Sequence, residues 1–324
     1  MTELLEVSGL NVALEVDGES RPVLRDVSFR IGKGETVGLV GESGSGKSMT
    51  ARAVARLLPA GAEVRGSIRF GGLSVAELTG SDLRRYRSRV GMVFQDPRAH
   101  INPVRTVGDF LTEALRLNRK VRRSDAEERA VRMLGEVGIA DGARRLRQYP
   151  HELSGGLLQR VMIASVLLSE PELVLADEPT TALDVTTQSE VMAILQELSD
   201  ELGLAMLFIT HDLELAAAVC DRTVVMYAGQ VMETQTSECL QNRPLHPYTS
   251  ALMASRPSLT GPRERPHAVP GRPLSAFEVD LGCPFAPRCT HADELCLAEA
   301  PGIRSIDDGE VACHHVDELR KTSR

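Results

Sequence analysis

One eight-residue loop constrains this chain most: residues 41–48 read GESGSGKS and fit the pattern G-x-x-x-x-G-K-[ST]. The apolar segment Glu35 to Val40 before it predicts a buried strand, and Ser48 to Leu58 after it has helical composition and stops at Pro59. A glycine-rich turn between a strand and a helix can wrap its N–H groups around phosphate oxygens. The loop therefore predicts a phosphate site made of Gly41, Glu42, Ser43, Gly44, Ser45, Gly46, Lys47, Ser48 and Met49.

Within this loop two side chains have separate expected roles. Lys47 would reach the β- and γ-phosphates of a nucleotide, and the Ser48 hydroxyl would hold Mg²⁺. The strand and helix on either side disfavour a flexible linker with a chance lysine. On the loop alone, a kinase, a GTPase, a motor and a transporter ATPase all remain open.

The order of the other segments predicts an α/β fold. Leu173 to Ala176 and Ala205 to Thr210 read as buried strands, and Thr187 to Leu202 between them reads as an amphipathic helix. Strands that are apolar throughout and separated by helices indicate a parallel sheet covered on both faces. Residues 81–148 are Arg-rich, with helical pieces at Val107–Asn118 and Asp125–Val137.

Composition excludes several other classes of protein. The chain of 324 residues has 37 Lys and Arg against 45 Asp and Glu, a formal charge of −8, which argues against nucleic acid as a partner. No apolar run is long enough to span a bilayer, and the first residues lack a signal-peptide pattern. We therefore expect a protein that is made and kept in the cytosol.

Two further short segments narrow the chemistry. The apolar strand that begins at Leu173 ends in Asp177 and Glu178. At such a strand end an aspartate can approach Mg²⁺ and a glutamate can polarise an attacking water. Ser154, followed by Gly155 and Gly156, reads as the N-cap of an apolar helix at Val161 to Leu168. A phosphate-binding helix terminus far from residues 41–48 would serve a nucleotide on a partner chain.

Taken together, the motifs over about residues 5–240 resemble the ATP-binding cassette (ABC) ATPases. The resemblance implies a P-loop NTPase fold, that is, a RecA-like parallel sheet with an antiparallel β edge and an inserted helical subdomain. It implies ATP and Mg²⁺ as ligands, with Ser48, Gln95 and Asp177 at the metal. It assigns Glu178, His211 and Gln95 to catalysis. It also implies contact with the partner chain's nucleotide from Ser154, Gly155, Gly156, Gln159 and Asp184, which follows Ala182 and Leu183.

Two segments look like one branch of that family. Residues 95–103 read QDPRAHINP and residues 243–250 read RPLHPYTS, and a cysteine-bearing tail follows. This combination resembles the ATPase subunits of oligopeptide, dipeptide and nickel importers. The resemblance implies a second ABC ATPase subunit, most often a paralogue, together with two transmembrane permeases and an extracytoplasmic solute-binding protein. It also implies a peripheral location at the cytoplasmic face of the membrane.

The tail carries four of the six cysteines, Cys283, Cys289, Cys296 and Cys313, within a segment rich in proline. A cytosolic chain should not keep structural disulfides, so clustered thiols suggest a bound metal. The spacings are wider than the usual pairs of a zinc site and suit an iron–sulfur cluster. Tails of this kind in the peptide-importer branch resemble [4Fe–4S] sites. A zinc site and four free thiols are the alternatives for these cysteines. Cys220 and Cys239 read as buried small hydrophobes.

These observations predict an ABC ATPase domain over residues 1–255, with its helical subdomain at about 89–168, and a small Cys-rich C-terminal extension over 256–324. The alternatives are a soluble ABC ATPase of the iron–sulfur assembly type and a DNA-repair or translation factor. The segments at 95–103 and 243–250 disfavour the first, and the acidic charge disfavours the second.

Overall fold

The computed structural model describes residues 3–181, 183–255, 269–307 and 309–322. Within these residues the strands are β1 (Glu3–Val16), β2 (Glu19–Gly32), β3 (Thr36–Val40), β4 (Glu63–Phe70), β5 (Leu73–Ser74), β6 (Val90–Val93), β7 (Leu173–Asp177), β8 (Ala205–Thr210), β9 (Arg222–Tyr227), β10 (Gln230–Thr236), β11 (Arg304–Ile306) and β12 (Gly309–Val311).

The helices are α1 (Lys47–Val54), α2 (Gly80–Arg89), α3 (Pro97–His100), α4 (Val107–Asn118), α5 (Arg123–Glu136), α6 (Gly142–Arg145), α7 (Gly155–Leu167), α8 (Val185–Leu202), α9 (Leu213–Val219), α10 (Ser237–Asn242), α11 (Pro247–Ala254), α12 (Glu294–Ala298) and α13 (Val316–Thr322). No helix among the described residues is long and apolar enough to cross a membrane.

The chain divides into two compact units. The first contains residues 32–35 and 77–207, and the second contains residues 3–31, 36–76 and 208–324. The division falls inside β8, and it does not coincide with the boundary near residue 255 that the sequence predicts. That boundary therefore stays a prediction, and residues 256–268 on its C-terminal side lie outside the described part of the chain.

The first unit is mostly helical. Its strands β6 and β7 run parallel, with Val90 opposite Leu173 and Val93 opposite Ala176. Helix α4 buries Val107, Leu111 and Leu115 on one face, a spacing of four that places apolar side chains along one stripe. The predicted helix at Val107–Asn118 is confirmed with those bounds, and the one at Asp125–Val137 begins two residues earlier, at Arg123.

The second unit contains antiparallel and mixed sheet. In one sheet β4 runs antiparallel to both β1 and β5, in the strand order β2-β1-β4-β5. In the other, β3 and β9 are parallel, and β10, β12 and β11 continue outward from β9 as antiparallel neighbours. Together with the parallel pair of the first unit, these sheets fit the predicted P-loop NTPase fold with its antiparallel edge.

The C-terminal segment shares its core with the body of the second unit. Ile306, Val311, Cys313 and Val316 form one buried cluster with Leu245, which comes from the segment before α11. Phe285 packs against Tyr227, Tyr248 and His246 with ring centroids 5.2–6.0 Å apart. The tail is therefore folded against β9, β10 and α11 rather than connected only through the chain.

One predicted helix ends early for a local reason. The sequence predicts helix from Ser48 to Leu58, but α1 ends at Val54. Arg56 has a φ of 55°, the left-handed conformation that an α-helix cannot continue through. The break therefore precedes Pro59, which the sequence marks as the end of the helix.

Candidate functional site

The phosphate loop joins β3 to α1 in the second unit. Gly41 has a φ of 154°, and a Cβ there would lie 2.1 Å from the carbonyl oxygen of Met226. Gly46 has a φ of 101°, and its Cβ would lie 2.6 Å from Leu24 Cδ2. Both positions therefore favour glycine for backbone conformation, and Gly41 also requires it for space, because the Cβ would meet backbone there. The structure therefore explains why glycine occupies these two positions of the motif, which the pattern alone does not.

Lys47 is buried inside this loop. Its Nζ donates hydrogen bonds to the carbonyl oxygens of Gly41, at 2.7 Å, and Glu42, at 2.9 Å. Helix α1 begins at Lys47, so the N–H groups of its first turn face the loop. Ser43 and Gly44 at the top of the loop are exposed, whereas Gly41, Ser45 and Lys47 are buried.

These features fit ATP and Mg²⁺. An ammonium held by loop carbonyls and a helix N-terminus both attract phosphate oxygens, and glycine keeps the backbone accessible to them. Ser48 follows Lys47 on the first turn of α1, where a hydroxyl can join the coordination of Mg²⁺. Met49 is half-buried on the same turn.

Asp177 and Glu178 lie at the end of β7 in the first unit. The strand is buried along its whole length, and Asp177 is 5% exposed. Glu178 has a φ of 45°, which turns the chain sharply as it leaves the strand. Its Oε2 accepts hydrogen bonds from Gln95 Nε2 at 3.0 Å and from Thr181 Oγ1 at 2.8 Å. The structure thus brings together two predicted site residues, Gln95 and Glu178, that are 83 positions apart in the chain.

Ser154 is the N-cap of α7, as the sequence predicts. Its Oγ accepts a hydrogen bond from the N–H of Leu157 at 3.4 Å, and the side chain is exposed. Gln159, one turn further along, is 1% exposed and its Nε2 donates to the carbonyl oxygen of Phe94 at 3.4 Å. The amide of Gln159 thus faces the interior of the first unit, and its contact with a partner chain's nucleotide stays a prediction.

Asp184 is the N-cap of α8 and is exposed. It accepts hydrogen bonds from the N–H of Thr187 at 3.1 Å and from its Oγ1 at 2.8 Å, and these bonds lower the pKa of the carboxyl group. His211 is exposed and directly follows β8. Ala182, which the sequence groups with Asp184, lies outside the described residues.

The four predicted metal-binding cysteines converge in the second unit. Cys283, Cys289, Cys296 and Cys313 line one narrow cavity with His246, His291 and His315, and none of them forms a disulfide. Burial raises the pKa of Cys283 and Cys313 to about 11, because a thiolate is poorly solvated there. A bound cation would supply the positive charge that thiolates need in such a place.

One of these cysteines lies close to two other side chains that can bind a metal. Among the described residues, one group of three metal-binding side chains has all its ligand atoms within 4.8 Å: Asp293, Cys296 and His315. A thiol, a carboxylate and an imidazole together form a donor set that can hold a single metal ion.

The other two cysteines differ from each other. Cys220 is buried, as predicted, and burial raises its pKa. Cys239 was expected to be buried as well, but it is half-exposed at the edge of a cavity of about 550 Å³. The expectation for Cys239 is wrong because α10 is a single short helix on the surface, with only Ser237 and Leu240 turned inward.

Three residues near the phosphate loop have roles that sequence analysis missed. The N–H of Glu42 donates to Tyr248 Oη at 2.9 Å, and the carboxylate of Glu42 accepts from Arg288 at 2.6 and 3.1 Å. Glu233 holds the segment that carries Tyr248, because its buried carboxylate accepts from the N–H groups of Leu245 and His246. Tyr248 lies within the segment 243–250 that the sequence singles out, and Arg288 lies next to Cys289 in the tail, but nothing local shows that they contact residue 42.

Comparison with known proteins gives matches over nearly the whole chain. The ABC transporter family matches residues 24–181, and the family "Oligopeptide/dipeptide transporter, C-terminal region" matches residues 232–296. The oligopeptide transport ATP-binding protein OppD of Escherichia coli is 42% identical over 98% of this chain and 94% of its own length. OppD of Haemophilus influenzae is 42% identical over 96% of each chain.

Solved structures give the same fold. The structure of cbiO1 from Clostridium perfringens, part of the ABC transporter complex cbiONQ, has a TM-score of 0.64 and 27% identity. It covers 75% of this chain and 92% of cbiO1. The dimeric ATP-binding cassette MJ0796, bound to ADP and Pi, has a TM-score of 0.65 and 26% identity, over 72% of this chain and 99% of its own. None of these relatives favours the iron–sulfur assembly type of ATPase. On sequence and structure together, this chain belongs to the ABC transporter ATPases, in the branch of the oligopeptide and dipeptide transporters.

Proposed function

We propose that this chain is the ATP-hydrolysing subunit of an importer that takes up a peptide-like solute. The observation that carries the proposal is the joint presence of an ATPase site and a C-terminal region of the oligopeptide/dipeptide transporter type in one chain. Relatives of the same length are named oligopeptide transport ATP-binding proteins. Binding and hydrolysis of ATP would drive the passage of the solute through membrane partners.

The proposed partners are a second ABC ATPase, most often a paralogue in this branch, two transmembrane permeases and an extracytoplasmic solute-binding protein. The dimeric state of the MJ0796 cassette supports the pairing of two ATPases. The chain would lie at the cytoplasmic face of the membrane, bound to the permeases through the region around Gln95.

The proposed roles begin with the phosphate loop. Residues 41–49 bind the triphosphate through backbone N–H groups, and Lys47 neutralises the β- and γ-phosphates. Ser48, Asp177 and Gln95 would hold Mg²⁺, which would withdraw charge from the phosphate oxygens. Glu178 orients the attacking water, and its hydrogen bonds to Gln95 and Thr181 fix the direction of the carboxylate. His211 contacts the γ-phosphate.

A second group of residues would act on the partner's nucleotide. The exposed N-terminus of α7, with Ser154, Gly155 and Gly156, offers N–H groups and a hydroxyl to the γ-phosphate of the opposite subunit. Asp184 would lie at the seam between the two subunits, and Gln159 would support α7 from inside through Phe94.

The importer function is tested by solute uptake. In vesicles that contain the permeases, this chain and its partner ATPase, peptide-loaded binding protein should raise the ATP hydrolysis rate and start uptake. Lys47→Ala should abolish both, because the ammonium that neutralises the phosphates is lost. Uptake of labelled peptide is the measurement. Hydrolysis that never responds to permeases and binding protein would contradict the importer assignment.

We further propose that Cys283, Cys289, Cys296 and Cys313 hold a [4Fe–4S] cluster. The cluster would supply a rigid centre that ties the loops of the tail together, a structural role. Four thiols that line one cavity, at sequence spacings wider than the usual pairs of a zinc site, support this choice. The alternatives are zinc and free thiols.

Protein purified without oxygen is expected to be brown, with about four irons per chain. Serine at any one of the four cysteines should bleach it, whereas Cys220→Ser and Cys239→Ser should leave the absorption spectrum unchanged. The measurements are the iron and sulfide content per chain and the visible absorption spectrum.

Two further variants separate the cluster from a single metal ion. Asp293 and His315 lie close to Cys296 and could hold a single metal ion together with it. They are not ligands of the proposed cluster. Asp293→Asn and His315→Gln should therefore leave the iron content unchanged. Colourless protein with one zinc per chain, lost in these two variants, would contradict the cluster.

A further inference from the structure

The phosphate loop is joined to the Cys-rich tail by a buried ion pair. Arg288 Nη1 lies 2.6 Å from Glu42 Oε2, and Nη2 lies 3.1 Å from Oε1, so the guanidinium donates to both carboxylate oxygens. The side chain of Arg288 is 4% exposed and that of Glu42 is 21% exposed. Glu42 is the second residue of the loop, and 246 positions separate the two residues in the chain.

Arg288 is held in place from all sides. Its Nε donates to the carbonyl oxygen of Pro270 at 2.7 Å, and Nη1 also donates to Tyr227 Oη at 3.2 Å. The guanidinium lies 5.6 Å from the ring centre of Tyr227 and 5.8 Å from that of Phe285. A guanidinium fixed in this way is oriented for the carboxylate before any ligand arrives.

Glu42 in turn connects the ion pair to the lysine of the loop. Its carbonyl oxygen accepts from Lys47 Nζ at 2.9 Å, and its N–H donates to Tyr248 Oη. One residue therefore contacts the lysine through its backbone and Arg288 through its side chain. The ion pair and the Lys47 contact therefore share one residue of the phosphate loop.

The negative charge of Glu42 would oppose the binding of a nucleotide unless it is neutralised. The loop accepts a polyanionic triphosphate, and a carboxylate within the same loop repels it. A paired guanidinium cancels that repulsion, and the partial burial of the pair limits screening by solvent. Without Arg288 the loop would keep a negative charge directly beside the residues that bind phosphate.

We propose that Arg288 is a positioning residue for ATP: it neutralises Glu42 and holds the phosphate loop in the conformation that accepts the triphosphate. Arg288 directly precedes Cys289, and two successive turns connect Cys283 to Cys289: the N–H of Ala286 donates to the carbonyl of Cys283, and the N–H of Cys289 donates to the carbonyl of Ala286. The tail thus contributes to ATP affinity. This rests on the proposed binding of ATP by residues 41–49.

The test is the ATP dissociation constant, measured on the full chain with Mg²⁺ and a fluorescent ATP analogue. Arg288→Met should raise it about tenfold or more, because a charge-assisted pair is lost and a like charge remains. The double variant Arg288→Met/Glu42→Gln should recover most of that loss, because the repelling charge is gone. The increase in the dissociation constant that Arg288→Met causes should be smaller at high salt, because salt screens the repulsion between Glu42 and the triphosphate.

Three controls make the result specific. Arg272→Met removes an exposed ion pair with Glu278 in the same tail and should leave ATP affinity unchanged. Lys47→Ala should abolish binding, and if it does not, the assignment of the loop itself fails. Should Arg288→Met not fold, Arg288→Lys keeps the charge with fewer hydrogen bonds and should give a smaller increase.

The kinetic constants give a second readout. The KM for ATP should rise in Arg288→Met while kcat stays near wild type, since Arg288 touches neither the water nor the transferred phosphate. An unchanged dissociation constant in Arg288→Met and Arg288→Lys would overturn the proposal. So would a double variant that binds ATP no better than Arg288→Met, because then the ion pair acts only as a structural contact.

Discussion

Replacing Glu178 with Gln is expected to lower the ATP hydrolysis rate by about 10²–10⁴-fold, because the amide cannot accept a proton from the attacking water. The side chain keeps its size and can still bond to Gln95 and Thr181, so the end of β7 should stay in place. ATP binding should therefore survive, and the ATP-bound dimer should accumulate. Phosphate release measures the rate, and size-exclusion chromatography with ATP measures the dimer.

Glu170→Gln is the matched control for that variant. Glu170 is another glutamate of the first unit with a positive φ, and its carboxylate pairs with Arg119 on the surface. Its loss should leave turnover unchanged, since exposed ion pairs contribute little. If Glu178→Gln hydrolyses ATP at a rate near that of the wild type, Glu178 does not orient the water.

Two inactive variants are expected to restore activity to each other when they are mixed under conditions in which this chain pairs with itself. Ser154→Arg blocks the N-terminus of α7 and Lys47→Ala disables the phosphate loop, so neither variant has an intact site when it pairs with itself. In a head-to-tail dimer of the two, one loop and one α7 terminus are both intact. With random pairing, about a quarter of the wild-type number of sites should return. Phosphate release from the mixture measures this.

The reverse combination is the control for this experiment. A chain with both substitutions, mixed with wild type, gives mixed dimers without any intact site, because each damaged loop faces an intact terminus and each intact loop a damaged one. Activity should therefore fall as mixed dimers form. With equal amounts and random pairing, only the wild-type dimers keep intact sites, so about a quarter of the wild-type activity should remain. If this mixture keeps about half of the wild-type activity and the mixture of the two single variants stays inactive, Ser154 does not act on the partner's nucleotide.

Those parts of the fold that follow from short-range patterns could be predicted from the sequence. The buried strands at Leu173 and Ala205 and the helix at Val107–Asn118 follow from apolar spacing. The end of α1 could not be predicted, because an arginine gives no sequence signal for the left-handed conformation that Arg56 adopts. The attachment of β12 to β10 also lacks a local signal, since the two strands are short and far apart in the chain.

In the candidate site, too, the residues of short motifs could be predicted, whereas contacts between distant parts of the chain could not. Residues 41–48, Asp177, Glu178 and Ser154 were found because their chemistry requires certain residue types at certain spacings. The contacts of Glu42 with Tyr248 and Arg288 were missed, since no spacing rule connects a loop to residues 206 and 246 positions later. Long-range ion pairs of this kind are set by the tertiary fold, and a single sequence does not display them.

The short hairpin of β11 and β12 has a consequence for how the protein behaves at high concentration. β12 covers the outer side of β10, whose backbone N–H and C=O groups would otherwise be open to pairing with another chain. The strand left at the edge, β11, is three residues long and begins with Arg304. A short, charged edge is a poor template for sheet extension. The hairpin thus protects this edge of the sheet from edge-to-edge aggregation.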